Sequence, residues 1–302
     1  MKYLIAALTP IFWGSTYAIV NLWLTDLSPL WVATWRALPA GIILILLTPK
    51  SLRTLPVSAG KLTGLSLLNI TAFFALLFIA AYRLPGSVAG TLTSTLPLQL
   101  LLLNWLFNKI RPAWSWLSLS TLGVAGIVLL LNPSANLDPI GVMAALGATL
   151  LIATSATWVQ RWQVENIIGL TAWQLLIGGL LLVPLAWIVE GPVQIPAIDQ
   201  VPALLWLSLV NTLLAYLIWF WSLKHLGSHI IGLLALLNPI TAVGLGLLLV
   251  GESLSFIQWL GVALVLSALI LMKVINRKSL VKAKSLKGTA STKVSFRERS
   301  ST

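Results

Sequence analysis

WLSLSTLGVAGIVLLL at residues 116–131 and FIQWLGVALVLSALILM at residues 256–272 share the tetrapeptide LGVA, at 122–125 and again at 260–263. The offset is 138 residues. At the same offset AAL at 6–8 meets AAL at 144–146, and Trp35 with Gly41 meets Trp173 with Gly179. A four-residue shift to 142 aligns Asn69 with Asn211, Gly90 with Gly232 and Pro97 with Pro239. Each match alone is weak in so apolar a chain, but the matches keep their order from end to end, which is the signature of an internal duplication.

Apolar runs broken by Pro, Gly or charge predict helices at 3–23, 29–48, 61–82, 87–107, 114–131, 139–160, 167–189, 202–223, 229–250 and 255–275. Each approaches the roughly 20 residues needed to cross a hydrocarbon core. The reading is an all-α polytopic membrane protein of ten transmembrane helices, two repeats of five. An odd number per repeat forces the second to enter the membrane upside down, giving two inverted five-helix repeats. The units are residues 1–132, residues 138–275, and a tail at 276–302. The first run stays apolar to Leu24 without a small-residue cleavage pattern, so it reads as a retained span.

Composition agrees. Of 302 residues 58% are hydrophobic and 9% charged, and the mean hydropathy is +0.97. With no Cys, disulfide scaffolds and thiolate zinc sites are excluded. The net charge of +12 would suggest a nucleic-acid partner on a soluble chain. Its distribution argues against one: eight basic residues between Arg277 and Arg299 give the tail a net +7, leaving +5 for the rest. The Ser- and Thr-rich tail reads as a disordered cytoplasmic segment, with attraction to anionic lipid as the functional alternative.

Charge also orients the spans. Lys2, Lys50, Arg53, Lys61, Lys109, Arg111, Arg161 and Lys224 fall on the side of the N-terminus and the tail, whereas Arg83 faces the other way with Asp26, Asp138, Glu190, Asp199 and Glu252. By the positive-inside rule both termini are cytoplasmic.

Polar residues inside spans are costly and therefore informative. Arg36 lies within the second span, about seven residues from its outer end, where it either caps carbonyls or meets a substrate carboxylate. Asn69 and Asn211 sit at mirrored depths, and an interhelical hydrogen bond competes with a site role. Pro97 and Pro239 should kink the fourth and ninth spans, as gating hinges or as simple shaping. Gly86 with Gly90, and Ser228 with Gly232, form small-residue faces at the start of those spans. No Asp or Glu stands mid-span, so no proton relay is visible. His225 and His229 lack a third ligand, and no phosphate-binding loop or hydrolytic constellation is present. No metal, cofactor or enzymatic activity is expected.

LTPIFWGSTYAIV at 8–20, WRALPAGIILILL at 35–47 and above all NITAFFALLFIAAYRLPGSVAGTL at 69–92 resemble the EamA-type branch of the drug/metabolite transporter superfamily, PecM-like members in particular. The resemblance covers about residues 3–275 and implies a ten-helix carrier of a bacterial inner membrane, with a central cavity lined by spans 1–4 and 6–9, spans 5 and 10 being peripheral. It implies roles for Trp13, Gly14, Tyr17, Arg36, Pro97, Pro239 and the Gly251–Glu252 pair. FNKIRP at 107–112 departs from the family, where a Gly-Glu pair often follows span 4.

The expected function is secondary transport by alternating access, exporting amino acids or small aromatic or amphipathic metabolites. Trp13, Tyr17, Phe73, Trp173 and Tyr216 could offer stacking surfaces in the cavity, with Arg36, Asn69, Gln99, Gln174 and Asn211 as polar contacts. The partners are then a small-molecule substrate and the bilayer, with a homodimer as an open alternative. A membrane sensor acting through its tail and a facilitative pore are the competing readings.

Overall fold

A computed structural model describes residues 1–49, 54–84, 89, 92–131, 138–250 and 254–275. The small-residue pair Gly86 and Gly90, the Gly251–Glu252 pair, the basic tail and the side chain of Tyr17 lie outside the described residues.

The described chain is helical throughout. The helices are α1 (Lys2–Trp23), α2 (Pro29–Leu47), α3 (Ala59–Arg83), α4 (Leu96–Asn108), α5 (Trp114–Leu131), α6 (Pro139–Arg161), α7 (Ile167–Glu190), α8 (Val201–Leu226), α9 (Ser228–Leu234 continuing as Leu237–Val250) and α10 (Phe256–Ile275). Among them only α4 is too short to cross a bilayer within its described residues. Apart from α4, which begins at Leu96 where the apolar run begins at 87, these bounds lie within a few residues of the apolar runs, because Pro, Gly and polar residues set them. Pro139 follows Asp138, whose carboxylate accepts from Ile140 N at 3.1 Å, and Asn166 accepts from Gly169 N at 2.9 Å. Gly191 and Gly227 end α7 and α8 at φ +86° and +85°.

Packing divides the helices into groups. α1, α8 and α9 pack together, α3, α4 and α6 pack together, and α2 with α7 makes the most extensive single pairing. Exchanging each helix for its counterpart five places on turns the first group into the second and leaves the α2–α7 pair unchanged. Close approach follows the same symmetry: a Cβ on Gly41 would stand 2.5 Å from Leu176 N, and one on Gly179 would stand 2.7 Å from Leu38 Cα. Leu38 and Leu176 are themselves 138 residues apart. Only glycine lets these two backbones meet so closely. α5 and α10 touch through Gly126 and Gly261, where an added Cβ on Gly261 would lie 2.5 Å from Gly126 O.

Two features depart from the continuous helices that the apolar runs suggest. α3 is π-helical over Leu67–Ala72 and α8 over Trp206–Leu214, segments that overlap under the 142-residue offset, end at equivalent positions and contain Asn69 and Asn211. The other departure concerns the prolines. Rather than kinking an unbroken helix, Pro97 occupies the first turn of α4, after a turn at Ser94 and Thr95, and Pro239 occupies the first turn of the second part of α9, after a turn at Ala235 and Leu236. A proline in a first turn removes no helical hydrogen bond.

Candidate functional site

Between the two three-helix groups lies a cavity of about 80 Å³. α1 contributes Trp13, Thr16 and Val20, α3 contributes Phe73, Leu77 and Phe78, and α6 contributes Thr149 and Ile152. Thr93, Ser94 and Leu96 enter from the break before α4, and Ala235, Asn238 and Pro239 from the break in α9. The helix interruptions thus turn backbone and small polar side chains toward the centre. At about 10–15 Å³ of such volume per water, the cavity holds a handful of waters. Val20 and Ala81 carry its lining toward the end of the molecule that bears Arg83 and Asp138.

Arg36 is the charged group of the lining and is only 2% exposed. Its Nε donates to Thr212 Oγ1 at 2.8 Å and its Nη2 to the Asn211 carbonyl at 3.1 Å, while the guanidinium carbon stands 4.5 Å from the centre of the Phe74 ring. The Asn211 carbonyl also accepts from Trp13 Nε1 at 2.9 Å. Its amide donates to Thr16 Oγ1 at 3.0 Å. A π-helical turn displaces carbonyls from the regular ladder, and here one of them holds two side chains of the opposite half.

The equivalent position across the repeat holds a neutral group. Gln174, 138 residues after Arg36, accepts from Asn69 Nδ2 at 3.0 Å, and Tyr216 OH donates to the Asn69 carbonyl at 3.2 Å. Asn69 Oδ1 and Gln174 Nε2 have no partner among the described residues. The frame is therefore symmetric in geometry and asymmetric in charge.

Of the residues expected in the cavity, Trp13, Arg36 and Phe73 line it, as does Pro239. Asn69, Gln174, Asn211 and Tyr216 are fully buried one layer behind, bracing the lining. Trp173 packs half-buried against Leu44 and Ile45 of α2, and Gln99 donates to Thr95 Oγ1 at 3.2 Å on its own helix. Pro97 lies beside Gly232, beneath the cavity rather than in its wall. Thr93, Ser94, Thr149 and Asn238 were not anticipated. A polar residue immediately before a mid-span proline was the available signal for Asn238.

Both ends of the bundle are tied. At the Arg83 end, Glu190 at the close of α7 accepts from Leu30 N at 2.9 Å and Trp31 N at 3.1 Å, capping α2, and Gln194 accepts from Ser28 N at 2.7 Å. Arg83 Nη1 pairs with Asp138 at 3.1 Å across the exposed surface, and this hydrogen bond holds the Asp138 carboxyl below the usual carboxylate range. At the opposite end a polar recess of about 550 Å³ is lined by Asn104, Asn108, Gln160, Arg161, Glu165 and Lys224.

A cavity held between two repeat-related helix groups, one buried cation among apolar and small polar side chains, and lipid-length helices around it define a polytopic membrane protein built around a central site. The profile of the EamA-like transporter family matches residues 1–132 and 139–274, and the chain belongs to that family. It is 37% identical to Protein PecM of Dickeya dadantii, over 88% of this chain and 90% of that protein. It is 28% identical to the uncharacterized inner membrane transporter YedA of Escherichia coli K12, over 87% of each chain. A crystal structure of a protein 17% identical in sequence superimposes with a TM-score of 0.77, covering 92% of this chain and 98% of that one. That likeness concerns the fold alone.

Proposed function

We propose that this chain is a secondary transporter of the bacterial inner membrane, with both termini cytoplasmic, that exports amino acids or small aromatic or amphipathic metabolites by alternating access. The observation that carries the reading is the position of Arg36: a buried guanidinium in a cavity walled by Trp13, Phe73 and Phe78. Such a site suits a solute with an apolar body and one acceptor-bearing end. A cavity of about 80 Å³ is smaller than the roughly 300 Å³ and upward of ordinary ligand sites, so a metabolite enters only after the two groups separate. The breaks before Pro97 and Pro239 are the places where α4 and α9 can bend. The family and the name of the relative YedA support transport in an inner membrane.

The lining contains no carboxylate among the described residues, which favours exchange that ignores a proton gradient. The test is counterflow of a labelled panel of amino acids and aromatic acids in proteoliposomes, with and without an imposed pH gradient. Accelerated exchange supports a carrier. Flux without counterflow acceleration favours a pore, and no flux from folded protein for any member of the panel counts against transport of these classes.

A further inference from the structure

Buried hydroxyls on these helices follow a rule. Thr34, Ser66, Thr149, Thr157 and Thr171 each donate to the carbonyl four residues earlier, at 2.6–2.8 Å. That is the default for a hydroxyl with no other partner in an apolar helix. Ser155, Ser208 and Ser222, at 0%, 2% and 1% exposed, break the rule: none of the three Oγ atoms has a partner among the described residues. Trp219 Nε1, in a residue 3% exposed, is likewise unpartnered. Helix geometry is not the cause, since Thr149 and Thr157 on either side of Ser155 in α6 do bond back.

Ser208 belongs to the π-helical turn of α8, whereas Ser155, Ser222 and Trp219 each lie along a helix between the same two spaces. Ile152 lines the central cavity and Val159 the polar recess at the Lys224 end, and Ser155 lies between them at helical spacing, three and four residues away. On α8, the Trp219 ring stands 5.2 Å from that of Trp13 in the cavity wall, Leu223 lines the recess, and Ser222 lies between. α6 and α8 meet at the recess itself, where Gln160 Nε2 reaches the Leu223 carbonyl at 3.5 Å. Ser155, Ser222 and Trp219 therefore occupy the plug between two spaces that this conformation keeps apart.

A buried polar group left without a partner costs stability and calls for a state in which it is satisfied. We infer that Ser155, Ser222 and Trp219 line the second half of the permeation path, from the central cavity to the recess of Asn104, Asn108 and Lys224, closed here and wetted when α6 and α8 part. The inference rests on the carrier reading and assigns the route on the side away from Arg83. An indole N–H and two hydroxyls offer donors to a solute rich in acceptor atoms, and the recess beyond presents Arg161 and Lys224 beside Glu165.

The absence of cysteine makes the full chain its own background for thiol labelling. S155C and S222C are made separately and treated in proteoliposomes with a membrane-impermeant charged maleimide from each face. Q163C marks the recess face and V193C the opposite one, so no prior assignment of sidedness is needed. S94C reports the central cavity, and A145C, fully buried between α6 and α3, reports the background. The expected result is labelling of S155C and S222C from the Gln163 face alone, at least tenfold faster than A145C, with S94C labelled from the Val193 face. Either serine position suffices if the other variant fails to fold. Labelling of both no faster than A145C, with S94C reactive, overturns the route and leaves the carrier reading standing. Labelling from both faces overturns the closed plug. If S94C is also silent in folded protein, the carrier reading fails with it.

Discussion

Arg36 donates from Nη2 to the main-chain carbonyl of Asn211 at 3.1 Å, joining α2 of one repeat to the π-helical turn of α8 in the other. The bond ties the cavity's cation to a backbone atom, beside the bond from its Nε to the Thr212 hydroxyl. At the matching position of the other repeat, Gln174 meets Asn69 through side chains alone.

Replacing Arg36 by Gln should make the two halves alike in charge and remove the pull on an anionic solute. Hydrogen bonds to charged groups contribute roughly 1.5–3 kcal/mol, which corresponds to at least a tenfold loss of counterflow for carboxylate-bearing substrates. Arg36→Lys should not restore it, because the planar fork reaches Thr212 and Asn211 together and an ammonium cannot. The measurement is the counterflow rate of an aromatic acid beside its neutral amide. Equal losses for both would refute the charge argument.

Glu190 caps the first amide groups of α2 with a carboxylate at a helix N-terminus. Glu190→Ala should lower stability by about 1 kcal/mol, and Glu190→Gln by less, because one acceptor oxygen remains without the charge. The 15 Trp residues make tryptophan fluorescence on heating in detergent a direct readout. Equal midpoints for wild type and both variants would show that the cap contributes nothing.

Glycines separate into two kinds that should respond with opposite sign. Gly179→Ala drives a methyl into the α2 backbone at Leu38 and should cost about 1–3 kcal/mol, with Gly41→Ala equivalent by symmetry. Gly64→Ala meets nothing within 4 Å and should stabilise α3 by about 0.5–1 kcal/mol. Thermal midpoints of the three variants, taken together, check both signs.

The Asp138 carboxyl is held below its ordinary value chiefly by the hydrogen bond from Arg83. A depressed folded value contributes stability that is present above the unfolded pKa, near 4, and is lost as the pH falls through the folded value. The pair is exposed, so the effect is small and sensitive to salt. Asp138→Asn should flatten the decline of the thermal midpoint below about pH 4 and leave the midpoint at pH 7 little changed. A steeper acid decline in the variant would reverse the sign assigned here.

Much of this architecture was legible along the chain because lipid imposes one-dimensional rules. Pro29, Asp138–Pro139, Gly191 and Gly227 each bound a helix, and the order of Trp35, Gly41, Asn69 and Pro97 against Trp173, Gly179, Asn211 and Pro239 exposes the duplication without coordinates. The π-helical turns were not legible. LLNITA and WLSLVNTLL carry no breaker, and the extra residue in each turn is stabilised by partners far away in sequence, such as Tyr216 on the Asn69 carbonyl.

The sequence by itself determined where most of the helices lie, the repeat and the presence of one deeply placed cation, because each follows from local hydropathy and residue type. The tertiary structure decided which polar residues face the cavity and which stand behind it. Asn69, Gln174 and Tyr216 turn to one another and Asn211 turns to Thr16, while Thr149, Ser94 and Asn238 turn inward. Mean hydropathy is blind to rotation about a helix axis, and that rotation is set by how closely Gly41 and Gly179 let α2 and α7 approach and by where α4 and α9 break.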